Sequence, residues 1–188
     1  YRPAADGTSL SNQYGIAWTH TNVGGQSKAG LSHQALFVTA GVTQTAIGIL
    51  PEMTVYGNDY NTRDGSCIRD FIHVSDIAHA HTLAIKYLEE DKNDSLCEVF
   101  NLGTGIGVTV LEAIQSFEKV SGVKLNYQIG PRRPGDVVAI FANNEKAINE
   151  LGWTVQFNLE DMMKTAWDWE LKIKADEALH NEQNALLN

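Results

Sequence analysis

Glu98-Val99-Phe100-Asn101-Leu102-Gly103-Thr104-Gly105-Ile106-Gly107-Val108-Thr109-Val110-Leu111-Glu112 decides the fold class. The apolar run at Glu98–Leu102 predicts a buried strand. Three glycines at alternate positions then make a tight turn. Thr109 and Glu112 have the Thr-x-x-Glu spacing of a capping box, in which each side chain satisfies a backbone donor at a helix start. Val110, Ile114, Phe117 and Val120 form one apolar stripe behind it, and Gly122 stops the helix. A strand, a turn and a helix in this order define an α/β chain.

The same alternation extends in both directions. Val42, Ala46, Ile47 and Leu50 predict a helix ended by Pro51. Met53–Tyr56 and Phe71–Val74 predict short strands. Ser75 or Asp76 then caps a helix whose stripe is Ile77, Ala80, His81, Ala84, Ile85 and Leu88. Asn93-Asp94-Ser95 reads as a polar turn. Downstream, Leu125–Ile129 alternates as a strand does. Asn143 or Asn144 opens a short helix that ends at Gly152. Asn158 and Asp161 open the last helix, with Leu159, Met162, Met163, Ala166 and Trp167 on one face. The strands are few and short, so the sheet is expected to be incomplete.

Three regions follow. Residues 1–40 are rich in Gly, Ser, Thr, Asn and Gln, and residues 1–30 show no helical or strand period. Residues 41–173 carry the regular pattern. Residues 174–188 read as a frayed tail. The first residue is Tyr1, which suggests a piece of something longer.

Composition limits the function classes. The 188 residues carry 23 Asp+Glu against 14 Lys+Arg, a net charge of −9. That sign argues against bulk nucleic-acid binding. No apolar run approaches the ~18 residues of a membrane span. Cys67 and Cys97 form neither a disulfide framework nor a metal motif. On a helix, His79 and His81 point about 200° apart, so no shared metal is expected.

The arginines are concentrated. Of Arg2, Arg63, Arg69, Arg132 and Arg133, one lies in Gly65–Val74 and two in Pro131-Arg132-Arg133-Pro134-Gly135-Asp136. A planar guanidinium can donate two hydrogen bonds to phosphate oxygens, so these stretches are candidate anion clamps. The competing reading is structural ion pairing of Arg69 with Asp70 and of Arg133 with Asp136. Gly103-x-Gly105-x-Gly107 lacks the G-x-G-x-x-G spacing, and the next strand has no acidic end. A tight turn is therefore favoured over dinucleotide binding there.

Thr54-Val55-Tyr56-Gly57-Asn58-Asp59-Tyr60 and Thr62–Val74 together resemble the C-terminal part of the UDP-glucose 4-epimerase family. The resemblance continues through Asn101–Gly105, Arg132–Asp136, Glu150-Leu151-Gly152-Trp153 and Trp167-x-Trp169. It implies the substrate-binding part of a Rossmann-type nucleotide-sugar epimerase. Such an enzyme is a cytoplasmic homodimer with bound NAD, and it moves a hydride at C4 of a UDP-hexose. The resemblance assigns the diphosphate to Arg69 and Arg133, and a ribose hydroxyl to Asp136. It places uracil against Thr54, Val55 and Tyr56, and the sugar pocket beside Ile140. Related nucleotide-sugar dehydratases and decarboxylases share these motifs more loosely, and a non-catalytic UDP-sugar binder is the other alternative.

No catalytic residue is assigned. Tyr1, Tyr14, Tyr56, Tyr60, Tyr87 and Tyr127 all lack a lysine four positions later. In the family, that lysine lowers the active tyrosine's pKa. The family's N-terminal NAD loop is also missing. The chain alone is therefore expected to carry the UDP-sugar-binding part and not to epimerise. Residues 1–40 lack the family's pattern, which is read as a frameshift, foreign sequence or disorder.

Overall fold

The computed structural model describes residues 15–17, 31–92 and 97–186. Its elements are β1 (Gly15–Ala17), α1 (Leu31–Ala46), β2 (Met53–Tyr56), β3 (Ile68–Arg69), α2 (Val74–Glu89) and β4 (Cys97–Val99). They continue with β5 (Val108–Thr109), α3 (Val110–Ser121), β6 (Tyr127–Gly130), α4 (Glu145–Leu151) and α5 (Leu159–Leu186). The strands join as three two-stranded pairs, β1 with β4, β2 with β6 and β3 with β5. The expectations for residues 1–14 and 18–30 and for the turn at Asn93-Asp94-Ser95 lie outside the described residues.

The chain forms two compact units. The first draws on Tyr1–Ala35, Arg69–Gly107 and Ala139–Asn158, and the second on Leu36–Ile68, Val108–Val138 and Leu159–Asn188.

In the first unit β4 runs parallel to β1, with Ile16 opposite Glu98. Three residues are too few to display a strand period, which is why β1 was not legible. Phe100, Trp153, Ala80 and Ala147 are 1% exposed or less, and Tyr87, Leu151 and Ile72 join them. The Tyr87 and Phe100 rings meet edge to face at 5.6 Å. Lys146 lies over Phe100 and pairs with Glu98.

Asp76, fully buried, sets the rotation of α2. Its carboxylate accepts the backbone N–H of Gln156 at 3.1 Å and of Phe157 at 3.2 Å. Its carbonyl accepts Trp153 Nε1 at 2.8 Å. An anion in the first turn of a helix is also favoured by the helix dipole. The buried face is therefore Asp76, Ala80, Ala84 and Tyr87, while Ile85 is 59% exposed. This differs from the stripe expected on apolar spacing, which placed His81 and Ile85 inside.

Asp76 points inward, so it does not cap α2. His73 does: its Nδ1 accepts the Ser75 N–H at 3.0 Å, and its ring stacks on Phe157 at 4.3 Å. The strand expected at Phe71–Val74 is absent. Phe71, Ile72 and His73 are buried in succession, without alternation, and the strand lies at Ile68–Arg69 instead.

In the second unit β2 and β6 run parallel, pairing Val55 with Ile129 and Tyr56 with Gly130. The α3 helix follows its sequence signature. Thr109 and Glu112 complete the capping box, and Gly122 ends the helix at φ 70°. Ile114, Phe117 and Met163 are buried, and Phe117 meets Trp167 edge to face at 5.5 Å. Two helices are longer than expected. α1 begins at Leu31, so the boundary drawn at residue 41 falls within it. α5 continues to Leu186 where a frayed tail was expected. Its last part holds no Gly or Pro and is rich in Ala, Glu and Leu, all good helix formers.

Asp76→Ala should lower folding stability by about 1.5–3 kcal/mol, the usual worth of hydrogen bonds to a charged group. Urea denaturation checks this, with Val74→Ser, at a 74% exposed position, as the neutral comparison.

Candidate functional site

The candidate site in the second unit is built on the ends of β2 and β6. Val55 is 2% exposed and faces the core, while Thr54 and Tyr56 are half-buried. Among the described residues β2 pairs only with β6. Every second residue of a strand points its N–H and C=O away from a given neighbour, so β2 keeps one backbone edge open. After Gly130 the chain enters Pro131–Asp136. The Asp136 N–H reaches the Arg133 carbonyl at 3.1 Å, closing a β-turn. Pro134 and Gly135 fill its central positions, and Gly135 has the φ of 82° that a type II turn requires there.

This turn presents two neighbouring arginines in different ways. Arg132 donates from Nε to Asp59 Oδ1 at 2.7 Å and from Nη2 to the Asp59 carbonyl. Its guanidinium lies 4.1 Å from the Tyr60 ring centre. Arg133 lies 3.7 Å over the Tyr56 ring and makes no ion pair among the described residues. The pairing of Arg133 with Asp136, one of two readings left open by the sequence, does not form. Asp136 is half-buried at the end of the turn.

The first unit holds the other two expected residues. Arg69 is 3% exposed and Ile140 is half-buried. Next to Arg69, Asp70 is 2% exposed. It accepts the Thr104 N–H at 2.9 Å, the Thr104 hydroxyl at 2.8 Å and the Ala142 N–H at 2.9 Å.

Asp70 also explains the Gly-rich turn. A Cβ on Gly103 would lie 2.0 Å from Asp70 Oδ2 and 2.8 Å from the Ala142 Cβ. The missing side chain therefore makes room for a carboxylate of the protein. A pyrophosphate seat would also need free donors at the start of α3. Those are taken: Val110 N–H by the Cys67 carbonyl, Leu111 N–H by Ser66 Oγ and Glu112 N–H by Thr109 Oγ1. Asp64 locks this arrangement, accepting from Ser66 N–H, Ser66 Oγ and Thr109 Oγ1. These residues do not fit the diphosphate of NAD.

The roles of Asp59, Asp64 and Asp70 were not read from sequence. Asp64-Gly65 was legible as a turn, but its reach to α3 joins residues far apart in the chain. The two clustered histidines are separated as expected. His79 Nδ1 lies 3.3 Å from Gln156 Nε2, and His81 Nδ1 lies 2.8 Å from the Ile77 carbonyl.

The fold is part of a Rossmann-type α/β domain. The chain belongs to the family described as GDP-mannose 4,6 dehydratase, whose model matches residues 10–166. Within it, the chain resembles the C-terminal part of UDP-glucose 4-epimerases. It is 46% identical over 143 residues to UDP-glucose 4-epimerase 3 of Oryza sativa subsp. japonica, covering 76% of this chain and 38% of that protein. It is 48% identical over 128 residues to a bifunctional UDP-glucose 4-epimerase and UDP-xylose 4-epimerase of Pisum sativum, covering 68% of this chain and 36% of that one. Among solved structures, the Stenotrophomonas maltophila UDP-glucose-4-epimerase, with bound NAD and formylated UDP-arabinopyranose, superposes with a TM-score of 0.70. It is 42% identical, covering 74% of this chain and 40% of that one. The Bifidobacterium longum enzyme, in complex with NAD+ and UDP, gives 0.66 at 42% identity, with 72% and 39% covered. The chain thus spans well under half the length of these relatives.

Gly103→Ala should destabilise the fold by about 1–3 kcal/mol, the usual range for overpacking a filled site. Thermal unfolding without any ligand reads this, and an unchanged midpoint would mean that the turn has space for a side chain.

A second expectation concerns acid. Arg63 donates from Nε and Nη2 to both Glu112 oxygens. This holds the Glu112 carboxyl below its ordinary value, with help from Thr109 N–H and against a desolvation effect. The contribution is present above the unfolded value of about 4.3 and is lost as pH falls through the lower folded value. The pair is part-exposed, so solvent screening keeps its contribution small. Glu112→Gln should flatten the fall in urea stability below that pH.

Proposed function

We propose that this chain carries the UDP-sugar-binding part of a UDP-glucose 4-epimerase, a cytoplasmic, homodimeric isomerase. The whole protein interconverts UDP-glucose and UDP-galactose, with NAD supplying the hydride acceptor for C4. The observation that carries the reading is Arg133, exposed on the turn, seated over Tyr56 and without a carboxylate partner among the described residues. A guanidinium held in this way has its planar fork available for diphosphate oxygens.

The neighbouring groups suit the rest of the nucleotide. The open edge of β2 offers N–H and C=O groups, which complement the carbonyl oxygens and N–H of uracil. In this reading Thr54 and Tyr56 supply that edge, since Val55 between them turns its backbone groups to β6, and Tyr56 adds its ring; Val55 keeps the place beside uracil that the resemblance implies. The Asp136 carboxylate accepts from a ribose hydroxyl. Arg69 and Ile140 keep the roles that the resemblance implies, with phosphate and sugar respectively. This chain contributes recognition, and no chemical step is assigned to its residues.

The description of the matching family supports a second reading, in which the base is guanine. Isothermal calorimetry of the 188-residue chain separates the two. The epimerase reading expects UDP to bind and GDP to bind more weakly. Tighter GDP binding favours the second reading. Arg133→Ala should weaken UDP binding about 10- to 100-fold, the equivalent of one charge-assisted contact. Arg63→Ala removes the same charge at the Glu112 pair and should change UDP affinity little. No heat at millimolar UDP would refute nucleotide binding by this chain.

A further inference from the structure

Two adjacent arginines on one turn make different contacts, and the difference has a visible cause. Arg132 is held by Asp59 at two points and by the Tyr60 ring. Among the described residues Arg133 has only the Tyr56 ring. From these contacts we infer that Asp59 and Tyr60 sort the pair. They capture Arg132 as the anchor of the turn, and so leave Arg133 as the anion-facing member. Asp59 is then a positioning residue for binding. This inference rests on the nucleotide reading above and adds a residue that it did not include.

The surroundings are shaped for this capture. A Cβ on Gly57 would lie 2.6 Å from Tyr60 Cε2 and 2.8 Å from Arg132 Cγ. Only glycine lets the Arg132 stem reach the ring there, and its φ of 85° favours glycine as well. The loop bearing Asp59 is itself braced. Tyr60 N–H reaches the Gly65 carbonyl at 2.9 Å, and a Cβ on Gly65 would lie 2.0 Å from the Asn58 carbonyl oxygen. Asp64, in the same loop, is tied to Thr109.

Fold stability does not require the pair. The Asp59 side chain is 71% exposed and that of Arg132 44%, and exposed pairs contribute little to folding. Their effect is geometric: with Arg132 pinned, the backbone of the next residue is fixed, and Arg133 has a defined place over Tyr56. A binding group held in place loses less entropy when its ligand arrives.

The sign of the effect provides the test. Removing a carboxylate near an anion site should tighten binding if charge alone matters. Sorting predicts the reverse. Asp59→Ala, which removes the side-chain acceptor, should weaken UDP binding by calorimetry about 5- to 20-fold, through lost preorganisation, with an unchanged melting temperature. Arg132→Lys keeps the charge but loses the fork, and should weaken binding similarly. Asp59→Glu should restore much of the loss.

Asp59→Ala that binds UDP as tightly as the parent, or more tightly, overturns the inference. Should the parent chain not bind UDP at all, the nucleotide reading fails, and NMR then tests the sorting by itself. In Asp59→Ala, the Nε–H resonance of Arg132 and that of Arg133 should both move. An unmoved Arg133 resonance overturns the inference in that case too.

Discussion

A nearly buried carboxylate at Asp70 is the constraint on which the first unit depends. Two backbone donors and one hydroxyl converge on it, from Thr104 and from Ala142. It therefore joins three stretches of chain that are far apart in sequence. A buried side chain this polar is tolerable only because its oxygens are satisfied, since burying a polar group without partners costs stability. Asp76 repeats the device on the backbone of Gln156 and Phe157, and in the second unit Asp64 does so on Ser66 and Thr109. The strands are too short to organise these loops by ladder bonding, so side-chain carboxylates supply the long-range links.

Much of this was legible in the sequence wherever the signal was local. The α3 helix was read correctly from its capping box to its closing glycine, because each device lies within a few residues of what it satisfies. Strand β2 and the α4 stop at Gly152 followed in the same way. The losses were of other kinds. The α2 stripe was displaced because hydrophobicity alone placed Ile85 inside and could not foresee that Asp76 has backbone partners near Gln156. The strand expected at Phe71–Val74 failed because consecutive burial in a loop imitates an apolar strand. The long α5 was missed because exposed helix carries no periodic apolar signal.

The candidate site was legible in its composition and not in its arrangement. Sequence showed that arginines were concentrated at Pro131–Asp136. It could not show that one of them is engaged by Asp59 and Tyr60. The same holds for the Gly-rich turn, where spacing favoured a turn and structure supplied the reason: the space above Gly103 is filled by Asp70. Glycines there serve close packing of protein against protein.

The closed start of α3 has an electrostatic consequence. A helix that exposed its N-terminal donors would offer a fixed positive end, directed and insensitive to side-chain motion. Here that end faces Ser66, Cys67 and Thr109, so attraction of an anion falls to guanidinium groups on a chain of net charge −9. Seen from far away a chain of this charge repels a dianion, and in the proposed reading it attracts one only at contact. Salt screens the distant repulsion over about 8–10 Å while leaving the short contacts largely intact. Moderate ionic strength would thus hasten encounter rather than hinder it, the opposite of the usual behaviour of phosphate-binding surfaces.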